Sequence, residues 1–381
     1  MSDRHAIAAD HVFDGQELRR DAAVIVEEGT VAAVVPRAQL PGALAVDRLP
    51  DGIWLAPGFI DIQVNGGGDV LFNDMPTAEG IRAIVRAHRR FGTTGLLPTL
   101  ISDTREKMAT AIAAVQAVID REPGVLGIHL EGPFLSQGKP GVHAPGMLRR
   151  PEPADLALVA APRKGATLMT LAPEEVPEGF VRDLAAAGVR VSLGHSMATY
   201  AQARAAMEQG LTGFTHLFNA MRPLGSRDPG PIAAALEASD AYYGLIVDGV
   251  HVDPAVLRLA LRGAGHPILV TDAMPPVGGT RGGFMLYGNE ISVREGRCER
   301  ADGTLAGSAL TMADAVRNCV RWLDVPLTDA LRYASRNPAE FLGLGDRLGK
   351  LVPKSRADLV AFAPDGVEVQ ATWVAGRKQP R

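Results

Sequence analysis

Two cysteines, Cys298 and Cys319, are all the thiol chemistry in a chain of 381 residues. They lack the close spacing of a zinc cluster and are too few for a disulfide framework, so a reducing cytoplasm is the expected setting. An excess of one charge is also missing: 39 Lys and Arg are interspersed with 43 Asp and Glu, for a net charge of -4. That excludes the basic footprint of a nucleic-acid binder and argues against a membrane-surface face. No apolar run approaches the ~20 residues of a membrane span. The opening stretch MSDRHAIAADHVFDG carries charges and no apolar h-region, so it does not read as a signal peptide. What remains is 46% hydrophobic and 22% charged residues, the composition of an ordinary soluble globular enzyme. The length suits one large barrel with an accessory domain.

Residues 1–57 read as short strands punctuated by Gly and Pro, with EEGT as a hairpin turn between AAVIV and VAAVV. The C-terminal ADLVAFAPDGVEVQATWVAGRK has the same strand-like alternation. One small β-sandwich domain built from both termini, residues 1–57 and 346–381, is therefore expected, with a catalytic domain over 58–345 inserted between them. From Phe59 onward apolar strands alternate with helical segments: FIDIQVN, GLLPTL, LGIHLEGP, TLMTLAP, VRVSLGHS, GFTHLFN, YYGLIVDG and PILVTDAM. Eight such strands argue for an α/β fold closed into a (β/α)8 TIM-like barrel. The stretch GGFMLYGNEISVREGRCERADGTLAGS breaks the alternation and reads as a hairpin-type insertion, either a lid or an interface element.

Four of these strands end on a polar, metal-compatible or titratable residue: Glu131, His195, His216 and Asp272. In a (β/α)8 barrel the C-terminal strand ends form the functional face. Glu131, His195 and His216 offer one carboxylate and two imidazoles, a set that suits one catalytic divalent ion, zinc first, with iron or another divalent ion as alternatives. Asp272 is then the natural proton carrier. His129, two residues before Glu131, points to the same side of its strand and is read as a supporting partner rather than a fourth ligand. Each residue alone is more often a satisfied surface or supporting group; it is their placement at four strand ends that carries the reading. The glycines Gly66, Gly67 and Gly68 lack the Lys-Ser/Thr of a phosphate-binding loop and read as close backbone packing.

PGFIDIQVNGGGD, HLEGPF, KPGVHAP, LGHS, THLFNAM, GLIVDGVHV, LVTDAM and LAGSALTM together resemble the N-acetylglucosamine-6-phosphate deacetylases of the amidohydrolase superfamily, over nearly the whole chain. Many superfamily members carry His-x-His on the first barrel strand and bind two metals. Gln63 and Asn65 take those positions here, which implies a single ion, with Gln63 beside it as a supporting residue. The resemblance implies hydrolysis of the acetamide of N-acetyl-D-glucosamine 6-phosphate to D-glucosamine 6-phosphate and acetate. It assigns substrate contacts to Val142, His143, Asn219, Ala220, Asp248, His251, Leu305, Ala306 and Gly307. His251 also polarises the amide carbonyl, and Arg227 binds phosphate across a homodimer interface. Two alternatives remain: the same chemistry on another substrate, such as the galacto epimer, a cyclic amide or an aminated base; or a non-catalytic scaffold, which would have lost the ligands or Asp272.

Overall fold

The computed structural model describes residues 4–380. Its centre is an eight-stranded parallel barrel: β1 (Phe59–Val64), β2 (Thr93–Ile101), β3 (Gly127–Glu131), β4 (Ala166–Leu171), β5 (Arg190–Leu193), β6 (Gly213–Phe214), β7 (Tyr242–Leu245) and β8 (His266–Leu269). Each strand pairs with its sequence neighbour, as in Glu131 opposite Thr170 and Leu171 opposite Leu193. The seam between β8 and β1 is built differently. A single backbone bridge joins Val64 to Ala273. The Thr271 hydroxyl donates to Asp61 Oδ2 at 2.5 Å, and the Asn65 and Gly66 N–H groups both donate to the Ala273 carbonyl at 2.9 Å. Burial pushes the Asp61 carboxyl up to about 7, against the pull of its Thr271 and Gln63 donors.

Helices follow the strands because their sequences carry an apolar stripe and, at several of them, a capping threonine or aspartate. In α1 (Ala78–Arg89) the buried Ile81, Ile84, Val85 and His88 recur at helical spacing. The Thr77 hydroxyl accepts from the Gly80 N–H at the start of α1, and Thr104 does the same for Lys107 at α2 (Arg105–Val118). The ring continues with α3 (Pro153–Ala160), α4 (Phe180–Ala186), α5 (Tyr200–Glu208), α6 (Gly230–Glu237) and α7 (Pro254–Ala260). Strand and helix residues such as Leu97, Ile128, Val115 and Leu257 merge into one buried core. After the insertion come α8 (Met312–Leu323), α9 (Leu327–Ala334) and α10 (Arg336–Phe341). No helix among the described residues is long and apolar enough to cross a membrane.

The two chain ends build one eight-stranded sheet. Its first five strands run from Arg4–Phe13 to Trp54–Pro57, and its last three from Leu359–Ala363 to Arg377–Lys378. Leu359–Ala363 lies antiparallel against Trp54–Pro57, with Leu359 opposite Pro57. Ile7, Val24, Leu55, Leu359 and Trp373 share one buried cluster, so apolar packing as well as backbone pairing joins the two ends. EEGT does form a hairpin turn: Glu28 and Gly29 take positive φ of 48° and 78°, the conformation a two-residue hairpin loop needs. One strand, Ala45–Arg48, has no counterpart in the sequence reading. All four of its residues are exposed, so it lacks the apolar alternation by which strands are recognised.

The insertion is a four-stranded antiparallel sheet of Gly283–Leu286, Asn289–Arg294, Arg297–Glu299 and Leu305–Ser308. Its buried Leu286, Ile291, Cys298 and Ala306 pack against Leu71, Ile101, Val142 and Met274 at the barrel mouth.

Candidate active site

Three of the four residues at the centre of the site follow their strands at an abrupt turn of the backbone, while Glu131 is the last residue of β3. His195, His216 and Asp272 follow β5, β6 and β8 and take positive φ of 48°, 33° and 51°. Non-glycine residues rarely adopt this region, at a cost of order 1–3 kcal/mol each, and such residues cluster at functional sites. The packed barrel below supplies the stability that offsets them.

The three candidate ligands converge. His216 Nε2 lies 3.0 Å from Glu131 Oε1, His195 Nε2 lies 3.2 Å from the same oxygen, and the two Nε2 atoms are 3.0 Å apart. One donor atom from each of the three residues falls within 4.8 Å of the others, and all three residues are buried. The other ring nitrogen of His195, Nδ1, sits 2.9 Å from the Lys139 carbonyl. A carbonyl only accepts, so Nδ1 carries a proton, and in the neutral ring Nε2 is a lone pair aimed at the cluster. Two imidazole nitrogens and a carboxylate oxygen, all buried and facing one another, fit a divalent cation by their donor chemistry. Burial raises the Glu131 carboxyl, but the His195 and His216 imidazoles outweigh it and hold the group well below the usual carboxylate range. Burial disfavours the charged form of His216, and the Glu131 carboxylate more than offsets this, so its pKa is raised.

Gln63 and Asn65 stand beside this cluster. The Gln63 amide donates to both Glu131 oxygens at 3.3 Å and to Asp272 Oδ1 at 3.2 Å. The Asn65 amide donates to the same Asp272 oxygen at 2.6 Å. Burial, then the Glu131 charge, push the Asp272 carboxyl up to about 6, with His216, His251 and Asn65 pulling the other way. His129 sits one layer deeper. Its Nδ1–H donates to the Ile62 carbonyl at 2.9 Å, and its Nε2 accepts from the Thr170 hydroxyl at 2.8 Å. Burial lowers its pKa to about 4, so the ring is neutral and both nitrogens are engaged with protein.

A cavity of about 370 Å³ opens above the cluster, a size suited to a small metabolite. Glu131, His195, His216, Asp272 and His251 line it, together with Val142, His143, Asn219, Ala220, Leu305 and Gly307. Three residues expected at the substrate stand outside that lining. Asp248 lies behind His251, accepting from its Nδ1 at 2.6 Å and from the Val250 and His251 N–H groups. Ala306 is fully buried in the apolar cluster under the insertion. Arg227 is exposed on the loop between Arg222 and Gly230. His143 is held from behind, its Nδ1 accepting from the Ser102 N–H at 3.3 Å and meeting the Ser102 hydroxyl at 2.7 Å. An acceptor Nδ1 in a neutral ring leaves the proton on Nε2, and burial, then His195, keep the pKa of this ring well below its usual value.

Sequence reasoning missed several contributors. Ile101, Ile246 and Met274 form apolar walls that no polar motif signals. Lys139 acts on His195 through its main-chain carbonyl. The sequence reading gives Asn65 no supporting role, although its place two residues after Gln63 in FIDIQVN puts it on the same face of that stretch.

Comparisons with known proteins agree with this fold. The family model described as "Amidohydrolase family" matches residues 54–378. An N-acetylgalactosamine-6-phosphate deacetylase of Shewanella sp. (strain ANA-3) is 44% identical over 86% of this chain and 84% of its own length. An N-acetylglucosamine-6-phosphate deacetylase of Haemophilus influenzae is 35% identical over 95% of this chain and 97% of its own. The crystal structure of N-acetylglucosamine-6-phosphate deacetylase from Pasteurella multocida superposes with a TM-score of 0.95 at 33% identity, covering 99% of this chain and 100% of that one. With a barrel closed at Asp61 and Thr271, a Glu-His-His cluster at its mouth and an aspartate ending its eighth strand, the chain belongs to the amidohydrolase family.

Proposed function

We propose that this chain hydrolyses the acetamide of N-acetylglucosamine 6-phosphate, releasing acetate and glucosamine 6-phosphate. The observation that carries the reading is the convergence of Glu131, His195 and His216 beside Asp272 in one cavity, in a chain whose relatives are named deacetylases. Glu131, His195 and His216 are the residues that would hold one divalent cation, zinc first among the candidates. When bound, the cation supplies Lewis acidity and brings the pKa of a water towards about 7.

The chain's own groups do the rest. Asp272, oriented by Asn65 and Gln63, takes a proton from the attacking water as its oxygen bonds to the carbonyl carbon. His251, anchored on Asp248, faces the carbonyl oxygen as negative charge builds there. Asp272 then returns the proton to the amide nitrogen as the C–N bond breaks, so proton and leaving group balance within one turnover. His143 presents Nε2–H to the sugar, and the Asn219–Ala220 and Leu305–Gly307 segments hold its oxygens. Arg227, remote from the cavity of its own chain, meets the phosphate from the second subunit of a homodimer. The two buried, unpaired cysteines are in keeping with a reducing, cytoplasmic setting.

One observation favours a second reading: the Shewanella relative at 44% identity is named for the galacto epimer. Metal-replete enzyme should be assayed for acetate release from both 6-phosphorylated epimers and from unphosphorylated N-acetylglucosamine. The expected order puts N-acetylglucosamine 6-phosphate highest in kcat/KM. A reversed order of epimers moves the reading to the galacto sugar, and no release from either overturns it.

A further inference from the structure

The insertion after β8 reads in sequence as a lid or an interface element. Its last strand, Leu305–Ser308, is instead stitched into the backbone that carries Asp272. Ser308 is 1% exposed and forms a parallel bridge with Ala273. Its N–H donates to the Asp272 carbonyl at 2.9 Å, and its own carbonyl accepts from the Met274 N–H at 2.9 Å. Its hydroxyl donates to the Thr271 carbonyl at 2.5 Å and accepts from the Leu310 N–H at 3.0 Å. One residue therefore contacts main-chain atoms of Thr271, Asp272 and Met274. Asp272 sits in the middle of that span with a φ of 51°.

The opposite side of the segment is held as well. The Asn65 and Gly66 N–H groups grip the Ala273 carbonyl, and the Thr271 hydroxyl is tied to Asp61. Gly307 lets the clamp close: its φ is +61°, and a Cβ there would fall 2.7 Å from the Asp272 carbonyl oxygen. A left-handed aspartate costs energy and persists only where its surroundings over-determine it. Ser308 is not among the residues lining the cavity, whereas Thr304, Leu305 and Gly307 are.

We propose that Ser308 is a positioning residue for the reaction: it locks the Thr271–Met274 backbone so that the Asp272 carboxylate faces the Glu131–His195–His216 cluster. The insertion is thus a fixed part of the catalytic frame. The proposal rests on the deacetylase reading, which is tested separately by wild-type acetate release. Because Ser308 does not touch the cavity, it acts on kcat and not on substrate affinity.

The test is a double-mutant cycle on metal-replete enzyme, read in kcat, KM, ion content and Tm. Ser308→Ala should lower kcat by about tenfold or more, since small misplacements of reacting groups cost up to ~10²-fold. KM should stay within about twofold and ion content at the wild-type value. Ser308→Thr, which keeps the hydroxyl, should recover most of kcat. In an Asp272→Asn background, Ser308→Ala should cost nothing further, because the two residues act as one unit. Wild-type-like kcat in Ser308→Ala overturns the proposal. So does a loss as deep in Ser308→Thr as in Ser308→Ala, or a loss that multiplies on top of Asp272→Asn.

Discussion

Replacing Asp272 by asparagine separates chemistry from architecture. The amides of Asn65 and Gln63 both donate to Asp272 Oδ1, at 2.6 and 3.2 Å. An asparagine oxygen in that place still accepts both, so the side chain keeps its orientation and the Glu131–His195–His216 cluster is left alone. What disappears is the basic oxygen. Positioned general acid–base groups contribute about 10²–10⁴ in rate, which is roughly 3–5 kcal/mol of barrier. The variant should therefore keep its ion and lose two to four decades of kcat, on the order of that range. The pH profile adds a second readout. Burial and the Glu131 charge push Asp272 up to about 6, and a cation held by Glu131 would pull it back down. Only the ionised carboxylate accepts a proton, so wild-type kcat should rise with pH through an acid limb at or below about 6. The asparagine variant should lack that limb. Acetate release across pH, with ion content measured in parallel, is the assay. A variant within tenfold, or about 1.4 kcal/mol, of wild-type kcat at equal ion content refutes the assignment.

Other outcomes follow from the same geometry. Glu131→Gln removes the anionic member of the cluster and should lose ion retention as well as rate, visible by elemental analysis after dialysis. The wild-type protein should hold one tightly bound ion per chain, because Gln63 and Asn65 are committed as donors to carboxylates; two ions per chain, both needed for activity, would sink this. Asp155, fully buried, accepts paired bonds from both Arg105 and Arg149 and one from the Glu152 N–H. Burial opposes its ionisation, but the Arg149 and Arg105 bonds outweigh that and hold its pKa below the usual 3.8. The stabilisation is thus present above about pH 4 and lost as pH falls through the depressed folded-state value. Asp155→Asn should cost about 2–4 kcal/mol near pH 7 in denaturant titrations, and the gap to wild type should shrink under acid; a gap that does not change with pH would contradict the linkage. On the proposal that Arg227 meets the phosphate bound by a second subunit, Arg227→Met should raise KM for the phosphorylated sugar and leave the unphosphorylated one unchanged.

The four strand-end residues were legible in the sequence because a barrel puts its functional side chains at the ends of apolar runs. His195 follows VRVSLG and Asp272 follows PILVT, and both line the cavity. The supports were less legible. The bond from Asn65 to Asp272 joins residues 207 apart in sequence, and no local pattern encodes such a contact. Lys139 contributes a main-chain carbonyl, which every residue type has. The left-handed backbone at His195, His216 and Asp272 carries no sequence mark, because glycine, the residue that usually signals it, is absent from those positions. The two-residue strand β6 was found through its motif rather than its length, since Gly213–Phe214 alone falls below any strand periodicity. The insertion was legible as a break in the alternation, but its Ser308–Asp272 contact was not, since that contact depends on register and not on composition.

The pairing of Leu359–Ala363 with Trp54–Pro57 also sets a timetable for synthesis. The two partners are separated by about 300 residues, and translation at ~5–20 residues per second leaves the first without the second for roughly 15–60 s. Through that interval one edge of the mostly apolar Trp54–Pro57 strand is open, its other edge facing Arg4–Phe13, and an open edge is the kind of surface that recruits other chains. The same strand leads directly into the first barrel strand at Phe59. The eighth barrel strand, His266–Leu269, is itself made late in that interval, so the open edge persists through most of barrel synthesis until Leu359–Ala363 pairs with it.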